Sequence, residues 1–121
     1  MAIRTPELYA PYTRPMAWLR RRRWWRDEGL PALRILAIEY WDPDGVYDDP
    51  MRADTYDPYL ERMGRMLKRG KGSTEIAKYL GDVRTKAFRR DPNEEADQSF
   101  AERVLAWYSL EAPARDPETP R

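Results

Sequence analysis

The residues best suited to chemistry in this chain are the carboxylates of one stretch, residues 41–59, with the sequence WDPDGVYDDPMRADTYDPY. Six aspartates and three prolines share this stretch with one tryptophan and three tyrosines. Aspartate and proline fix turns and helix caps, so the composition predicts an ordered acidic loop with aromatic edges rather than a flexible tether. Its candidate chemistries are metal binding, acid–base catalysis and the docking of a partner.

Metal binding is the first alternative, because Asp42, Asp44, Asp48 and Asp49 are close in sequence and hard cations need several oxygens at one point. The spacing does not fit the calcium-loop pattern, which has acidic groups at positions one, three and five, then glycine and a distal glutamate. We therefore predict no metal and no cofactor.

An acid–base pair is the second alternative, with Asp54 and Asp57 three residues apart ahead of a helix. Helix N-termini attract aspartate for electrostatic reasons alone, so capping is the simpler interpretation. The chain has no histidine and no cysteine, which removes imidazole bases, thiolate nucleophiles, disulfides and the usual zinc ligands. We therefore predict that the protein is not an enzyme.

The first six residues of the stretch have the order expected where a helix ends in a turn. Trp41 would lie in the core, Asp42 would cap a turn, and Pro43 and Gly45 would occupy its second and fourth positions.

Charge alternates along the chain although the net charge is only +1. The balance is +4 over residues 1–41, −5 over 42–57, +7 over 58–90 and −5 over 91–121. This pattern disfavours a uniformly basic nucleic-acid binder and favours patches of both signs, which steer a charged protein partner or pair internally. No apolar run approaches eighteen residues and prolines interrupt the N-terminus, so we expect a cytoplasmic protein without a membrane span.

The length of 121 residues is that of one domain. We predict an extended arm at residues 1–14, a single helical domain at 15–111 and a disordered tail at 112–121. The fold class is all-α, a compact array or bundle of four to five helices with a long ordered loop between the central helices.

The helix boundaries follow from caps and breakers. A helix over residues 16–28 should end at Gly29 and Pro31, and the next, a nearly all-round apolar helix up to Trp41, is the candidate for the most buried element. A third helix has Asp57 as its N-cap and Pro58 as its first residue, and it stops at Gly70. A fourth is capped by Ser73 or Thr74 and ends near Arg90, and a fifth covers about 93–110.

Two basic features open a nucleic-acid alternative. Four arginines directly precede Trp24 and Trp25, and arginines beside aromatic residues can bind phosphate backbones. Consecutive residues spread around a helix, however, so a solvated helix with inward-facing tryptophans is the simpler interpretation. Residues 74–81, TEIAKYLG, resemble the first half of a helix-turn-helix, but Asp82 follows the glycine and one continuous helix is also credible. The nucleic-acid-binding residues of this alternative are Arg20, Arg21, Arg22, Arg23, Lys78, Arg84, Lys86, Arg89 and Arg90.

The motifs at residues 41–46, 54–59 and 76–80, WDPDGV, DTYDPY and IAKYL, together resemble an uncharacterised family of small bacterial helical proteins. The resemblance covers roughly two thirds of the chain, from Leu33 to Tyr108. It implies a domain of unknown function or an immunity protein against a bacterial toxin, and it implies no catalytic residues.

The resulting hypothesis is a non-enzymatic interaction module, of the immunity or inhibitor type, that binds a protein partner through the acidic aromatic loop. The alternative is a helix-turn-helix-like nucleic-acid-binding or regulatory protein. The predicted partner-binding residues are Trp41, Asp42, Asp44, Tyr47, Asp48, Asp49, Asp54, Tyr56, Asp57 and Tyr59.

Overall fold

The computed structural model describes residues 13–113, and over this range the protein is all-α with no β-strand, as the sequence predicts. The first helical run consists of α1 (Thr13–Trp24), a π-helical turn (Trp25–Gly29) and α2 (Leu30–Tyr40). Most of the predicted arm and tail lies outside the described residues. Positions 13 and 14, assigned to the arm, belong to α1.

A loop at residues 41–56, which contains a 3-10 turn (Pro50–Arg52), leads from α2 to α3 (Asp57–Lys68). The next helical run joins α4 (Ser73–Asp82) to a second π-helical turn (Val83–Ala87). The last helix is α5 (Glu94–Glu111). The helices α4 and α5 form the most extensive pair, and α2 packs against both α3 and α5.

The predicted break at Gly29 and Pro31 is wrong, because the chain stays helical through both residues. Gly29 has φ −66° and ψ −55°, and the N–H of Leu30 donates to the carbonyl of Trp25, five residues earlier. A π-type turn of this kind absorbs one extra residue without ending the helix. The glycine serves packing instead, since a Cβ at this position would lie 2.8 Å from the ring of Trp24.

The helix α2 is amphipathic rather than buried all round. Leu33 and Ala37 are fully buried, whereas Ile35 and Tyr40 are 58% and 50% exposed. Tyr40 lies under the guanidinium of Arg103, whose Cζ is 3.7 Å from the ring centroid. Apolar residue type alone therefore overstated the burial of this helix.

The end of α3 agrees with its sequence signals. Gly70 has φ +80° and donates its N–H to the carbonyl of Leu67, while Lys71 donates to Met66. These two bonds form a Schellman motif, which explains the glycine stop. At the start of α4, by contrast, Ser73 does not cap the helix; Gly72 holds the N-cap position, and the Ser73 hydroxyl accepts a hydrogen bond from Gln98.

The predicted start of α5 is confirmed, because Asn93 is the N-cap and its side chain accepts a hydrogen bond from the N–H of Ala96. The helix α4 continues into the second π-helical turn, and its run ends at Ala87 rather than near Arg90. The core that these helices enclose consists of Leu33, Ala37, Trp41, Val46, Tyr56, Leu60, Met63, Leu67, Ile76, Leu80, Val83, Phe100, Ala101 and Val104.

Gly64 in α3 gives a direct test of how closely the first helical run packs on this helix. A Cβ at this position would lie 2.6 Å from Cη2 of Trp25, whose indole N–H is held by Glu61 at 2.8 Å. We expect Gly64→Ala to lower the free energy of unfolding by about 1–3 kcal/mol through overpacking, although alanine is the better helix former.

Urea denaturation measures this change, with Gly72→Ala as the matched control. No atom lies within 4 Å of a Cβ at Gly72, so that variant should change the free energy of unfolding by less than about 1 kcal/mol. A stabilised Gly64→Ala protein would contradict the close packing of Trp25 on α3.

Candidate functional site

The loop at residues 41–56 begins with a turn centred on the carboxylate of Asp42. Asp42 has φ +40°, and its carbonyl accepts the N–H of Gly45 at 3.2 Å, as the predicted turn requires. Its carboxylate accepts the N–H groups of Val46 and Tyr47 at 2.8 and 3.2 Å and the hydroxyl of Tyr56 at 2.7 Å. One aspartate therefore joins the two ends of the loop.

Tyr56 closes the loop from the other side. Its side chain is fully buried, and its hydroxyl oxygen accepts the N–H of Asp44 at 2.8 Å while the O–H donates to Asp42. The ring lies against Trp41 and Phe88, with centroid distances of 5.3 and 5.4 Å. Burial and the Asp42 carboxylate raise the pKa of this phenol, so it stays protonated and serves as a structural donor.

Arginines neutralise two further aspartates of the stretch. Asp44 pairs with Arg52 and with Arg90, whose Nη2 lies 2.8 Å from the carboxylate, and the hydrogen bond from Arg90 lowers the pKa of Asp44. Asp57, predicted as the N-cap of α3, is instead its first residue, and Tyr56 holds the N-cap position. Arg34 donates two parallel hydrogen bonds of 2.9 and 2.7 Å to the Asp57 carboxylate. Much of the negative charge that the sequence displays is therefore compensated within the molecule.

Below the loop, a charged pair lies in the core. Asp97 is 2% exposed and Arg84 is 8% exposed. The Oδ1 atom of Asp97 accepts Nε of Arg84 at 3.0 Å, and also the indole N–H of Trp41 at 2.9 Å. The Trp41 ring stacks on Phe100, with centroids 5.7 Å apart and planes 4° from parallel. This buried triad of Trp41, Asp97 and Arg84 fixes the start of the loop on α5.

Sequence reasoning missed the buried triad, although a signal was present. Asp97 lies three and four residues before Phe100 and Ala101, on the buried face of α5, and Arg84 lies four residues after the buried Leu80. A charged residue at each of two apolar helical positions is the pattern of a buried ion pair.

The predicted partner-binding residues are divided between the interior and the surface. Trp41 and Tyr56 are buried, and Tyr59 is half-buried, so these aromatics pack the core and do not form a docking surface. The Asp49 side chain caps the 3-10 turn by accepting the N–H of Met51. The exposed members are Tyr47, Asp48 and Asp54, and Met51, which the prediction omitted, is 89% exposed.

The residues predicted to bind nucleic acid are likewise divided between the interior, internal ion pairs and the exposed surface. Arg84 is in the buried triad and Arg90 pairs with Asp44, so neither forms part of an open phosphate-binding face. Lys86 lies 3.6 Å from Asp82, while Lys78 and Arg89 are exposed. The helix also runs through Gly81 into the π-helical turn, and the turn of a helix-turn-helix is absent at this position.

A basic groove forms where the first helical run lies along α3. It has a volume of about 680 Å³. Its cationic wall consists of Arg21, Arg22, Arg23, Arg26, Arg65 and Lys68. Trp24, Trp25 and Tyr108 add aromatic edges, and Glu61 adds one carboxylate. Three of the four consecutive arginines thus reach one groove, which the sequence argument did not anticipate.

Within residues 13–113, no group of three or more carboxylates is arranged to hold a metal ion, and none of the helices is long and apolar enough to cross a membrane. Comparison with known proteins gives no matching family model, no similar curated protein and no similar solved structure.

The buried triad predicts a large loss of stability on Asp97→Asn. The substitution keeps the shape and the acceptor for Trp41 but leaves the buried Arg84 guanidinium without a counter-charge. We expect the free energy of unfolding, measured by urea denaturation, to fall by about 3–5 kcal/mol. Asp82→Asn, which removes an exposed partner of Lys86, should cost about 0–1 kcal/mol. Equal losses in the two variants would contradict the role of the triad.

The pairing of Asp44 predicts a pH dependence. Because the folded pKa of Asp44 lies below its ordinary value, the pairing stabilises the protein above the unfolded pKa, and this contribution is lost as pH falls through the folded pKa. The stability difference between the natural protein and Asp44→Asn should thus be constant above about pH 5 and shrink below about pH 4. Urea titrations from pH 7 to pH 2.5 measure it, and an unchanged difference at pH 2.5 would refute the pairing.

Proposed function

We propose that this chain is a non-enzymatic interaction module that binds a basic surface on a protein partner through the exposed rim of its acidic loop. The loop rim is Tyr47, Asp48, Met51 and Asp54. The observation that carries the proposal is the exposure of large apolar groups on an ordered loop, with Tyr47 at 74% and Met51 at 89%. Exposed aromatic and methionine side chains are enriched at protein interfaces.

The hydrogen bonds of the loop support docking with little rearrangement. Asp42 and Tyr56 tie the loop ends together, and Asp44 is held by arginines from the 3-10 turn and from the segment after the second π-helical turn. A loop that is fixed before binding loses little conformational entropy when a partner arrives.

The distribution of charge favours a basic partner. Asp42, Asp44 and Asp57 accept hydrogen bonds from within the molecule, whereas the carboxylates of Asp48 and Asp54 are exposed on the rim. Rim charges of this kind raise the association rate with an oppositely charged surface. The resemblance to immunity-like proteins extends the proposal to an inhibitory role, in which the rim covers a basic surface of a toxin.

The chemistry of the loop supports binding rather than turnover. The chain lacks histidine and cysteine, and the ion pairs of Asp44 lower its pKa away from the range of a general base. The pKa of Tyr56 is raised, so its phenolate is not accessible near neutral pH.

The test places a photo-crosslinking amino acid at position 47 in the native cell, with position 75, on exposed α4 surface, as the control. We expect a protein adduct at position 47 that is absent at position 75. With the captured protein purified, the double variant Asp48→Asn, Asp54→Asn should slow association about tenfold at low salt and leave dissociation nearly unchanged. Tyr47→Ala should mainly accelerate dissociation.

The matched control for charge is the double variant Glu102→Gln, Glu111→Gln on α5, which changes the net charge equally and should alter association less than twofold. An equal effect of both double variants would show that net charge, not the loop rim, governs binding. Unchanged kinetics in all variants, with folding intact by circular dichroism, would overturn the proposal.

A further inference from the structure

The basic groove between the first helical run and α3 contains a guanidinium whose hydrogen-bonding capacity is not satisfied. The Nη1 atom of Arg21 is buried and has no hydrogen-bond partner among the described residues. A buried N–H donor without an acceptor carries a desolvation penalty. Arg21 lines the groove, so an anion that reached Nη1 from there would supply the acceptor and remove this penalty. This observation is independent of the acidic loop and of the interaction proposed for it.

The electrostatics of the groove select an anionic occupant with several charges. Six cationic side chains line the groove, and Glu61 is the one carboxylate among the described lining residues. Arg26 is paired with Asp27 at 2.8 Å, so the anion would contact the other cations. Glu61 also accepts the indole N–H of Trp25 at 2.8 Å. Five of the six cations are arginines, whose planar guanidinium groups bind phosphate oxygens with two parallel hydrogen bonds.

The aromatic edges distinguish a nucleotide strand from an acidic peptide. Trp24 stacks on Trp107 with centroids 5.8 Å apart, and Trp24, Trp25 and Tyr108 line the groove among the cations. Phosphates would contact the arginines and bases would stack on the ring surface that these half-buried aromatics leave exposed, whereas an acidic peptide would contact only the cations. The volume of about 680 Å³ lies in the range of small-ligand sites and suits a short segment of single strand rather than a duplex.

We propose that this groove binds single-stranded nucleic acid, with the phosphate backbone on Arg21, Arg23 and Arg65. Binding here needs no helix-turn-helix and does not use the cations of α4. It uses the arginine and tryptophan residues that the first helical run places opposite α3.

The experiment is a fluorescence-anisotropy titration of the full chain with a labelled oligothymidylate of about twelve nucleotides, at salt concentrations from about 20 to 200 mM. We expect binding that weakens steeply with salt. The double variant Arg21→Gln, Arg65→Gln should lower the affinity at least tenfold and reduce the slope of log K against log salt by about 1.4, since each lost phosphate contact on a single strand contributes about 0.7.

The matched control is Lys78→Gln, Lys86→Gln, which removes the same charge from exposed positions outside the groove and should change the affinity less than twofold. Equal losses in both double variants would show binding by net charge alone and overturn the proposal. No binding at 20 mM salt would also overturn it. If a polyglutamate peptide competes as well as unlabelled oligonucleotide, the occupant is an acidic protein segment and the proposal is overturned. If a duplex binds more tightly than the single strand, the proposal of a single-strand site is overturned as well.

Thermal denaturation distinguishes a variant that has lost binding from a variant that has lost its fold. Because Nη1 of Arg21 has no partner to lose, Arg21→Gln alone should leave the melting temperature unchanged or raise it. Oligothymidylate should raise the melting temperature of the natural protein and not that of the Arg21→Gln, Arg65→Gln variant. A melting temperature strongly lowered by Arg21→Gln would assign the guanidinium a structural role and contradict the site.

Discussion

The buried carboxylate of Asp97 is the constraint on which the rest of the structure depends. It lies between the guanidinium of Arg84 and the indole N–H of Trp41, so one oxygen joins α5, the second π-helical turn and the start of the acidic loop. Charges removed from water are tolerated only when paired and hydrogen-bonded, and this demand allows little freedom in how the three elements meet. The flat stacking of Trp41 on Phe100 adds an apolar contact in the same place.

The shape of the acidic loop, residues 41–56, depends on the hydrogen bond between Trp41 and Asp97. The hydrogen bond from Trp41 to Asp97 holds the first residue of the loop in place. The carboxylate of Asp42 then accepts hydrogen bonds from two backbone N–H groups and from the Tyr56 hydroxyl. Three aspartates that the sequence predicts as partner contacts, Asp42, Asp44 and Asp57, are therefore bound within the molecule instead. The proposed docking surface is the small rim that includes Tyr47 and Met51, whose exposed apolar groups add contact area to its carboxylates.

The basic groove shows the opposite relation between charge and structure. In the loop, acidic residues meet arginines of the same chain, whereas the described lining of the groove has six cations and one carboxylate, with Arg26 also paired to Asp27. In the folded protein, the acidic charge of the sequence is partly paired with arginines at the loop, whereas positive charge is concentrated between the first helical run and α3. The two proposals thus assign partners of opposite charge to separate surfaces of one small domain, the acidic rim and the basic groove.

The sequence by itself determined the all-α class, the turn at Asp42, the start of α5 near residue 93 and the glycine stop at Gly70, because short-range backbone chemistry decides these features. Only the tertiary structure decided that Gly29 continues a helix, that Tyr56 is interior, and that Arg84 and Arg90 are bound to distant aspartates. These outcomes depend on which helix faces which, and contacts between residues far apart in sequence override local propensity. A charge counted in the sequence therefore did not reveal whether its side chain faces a partner or the core.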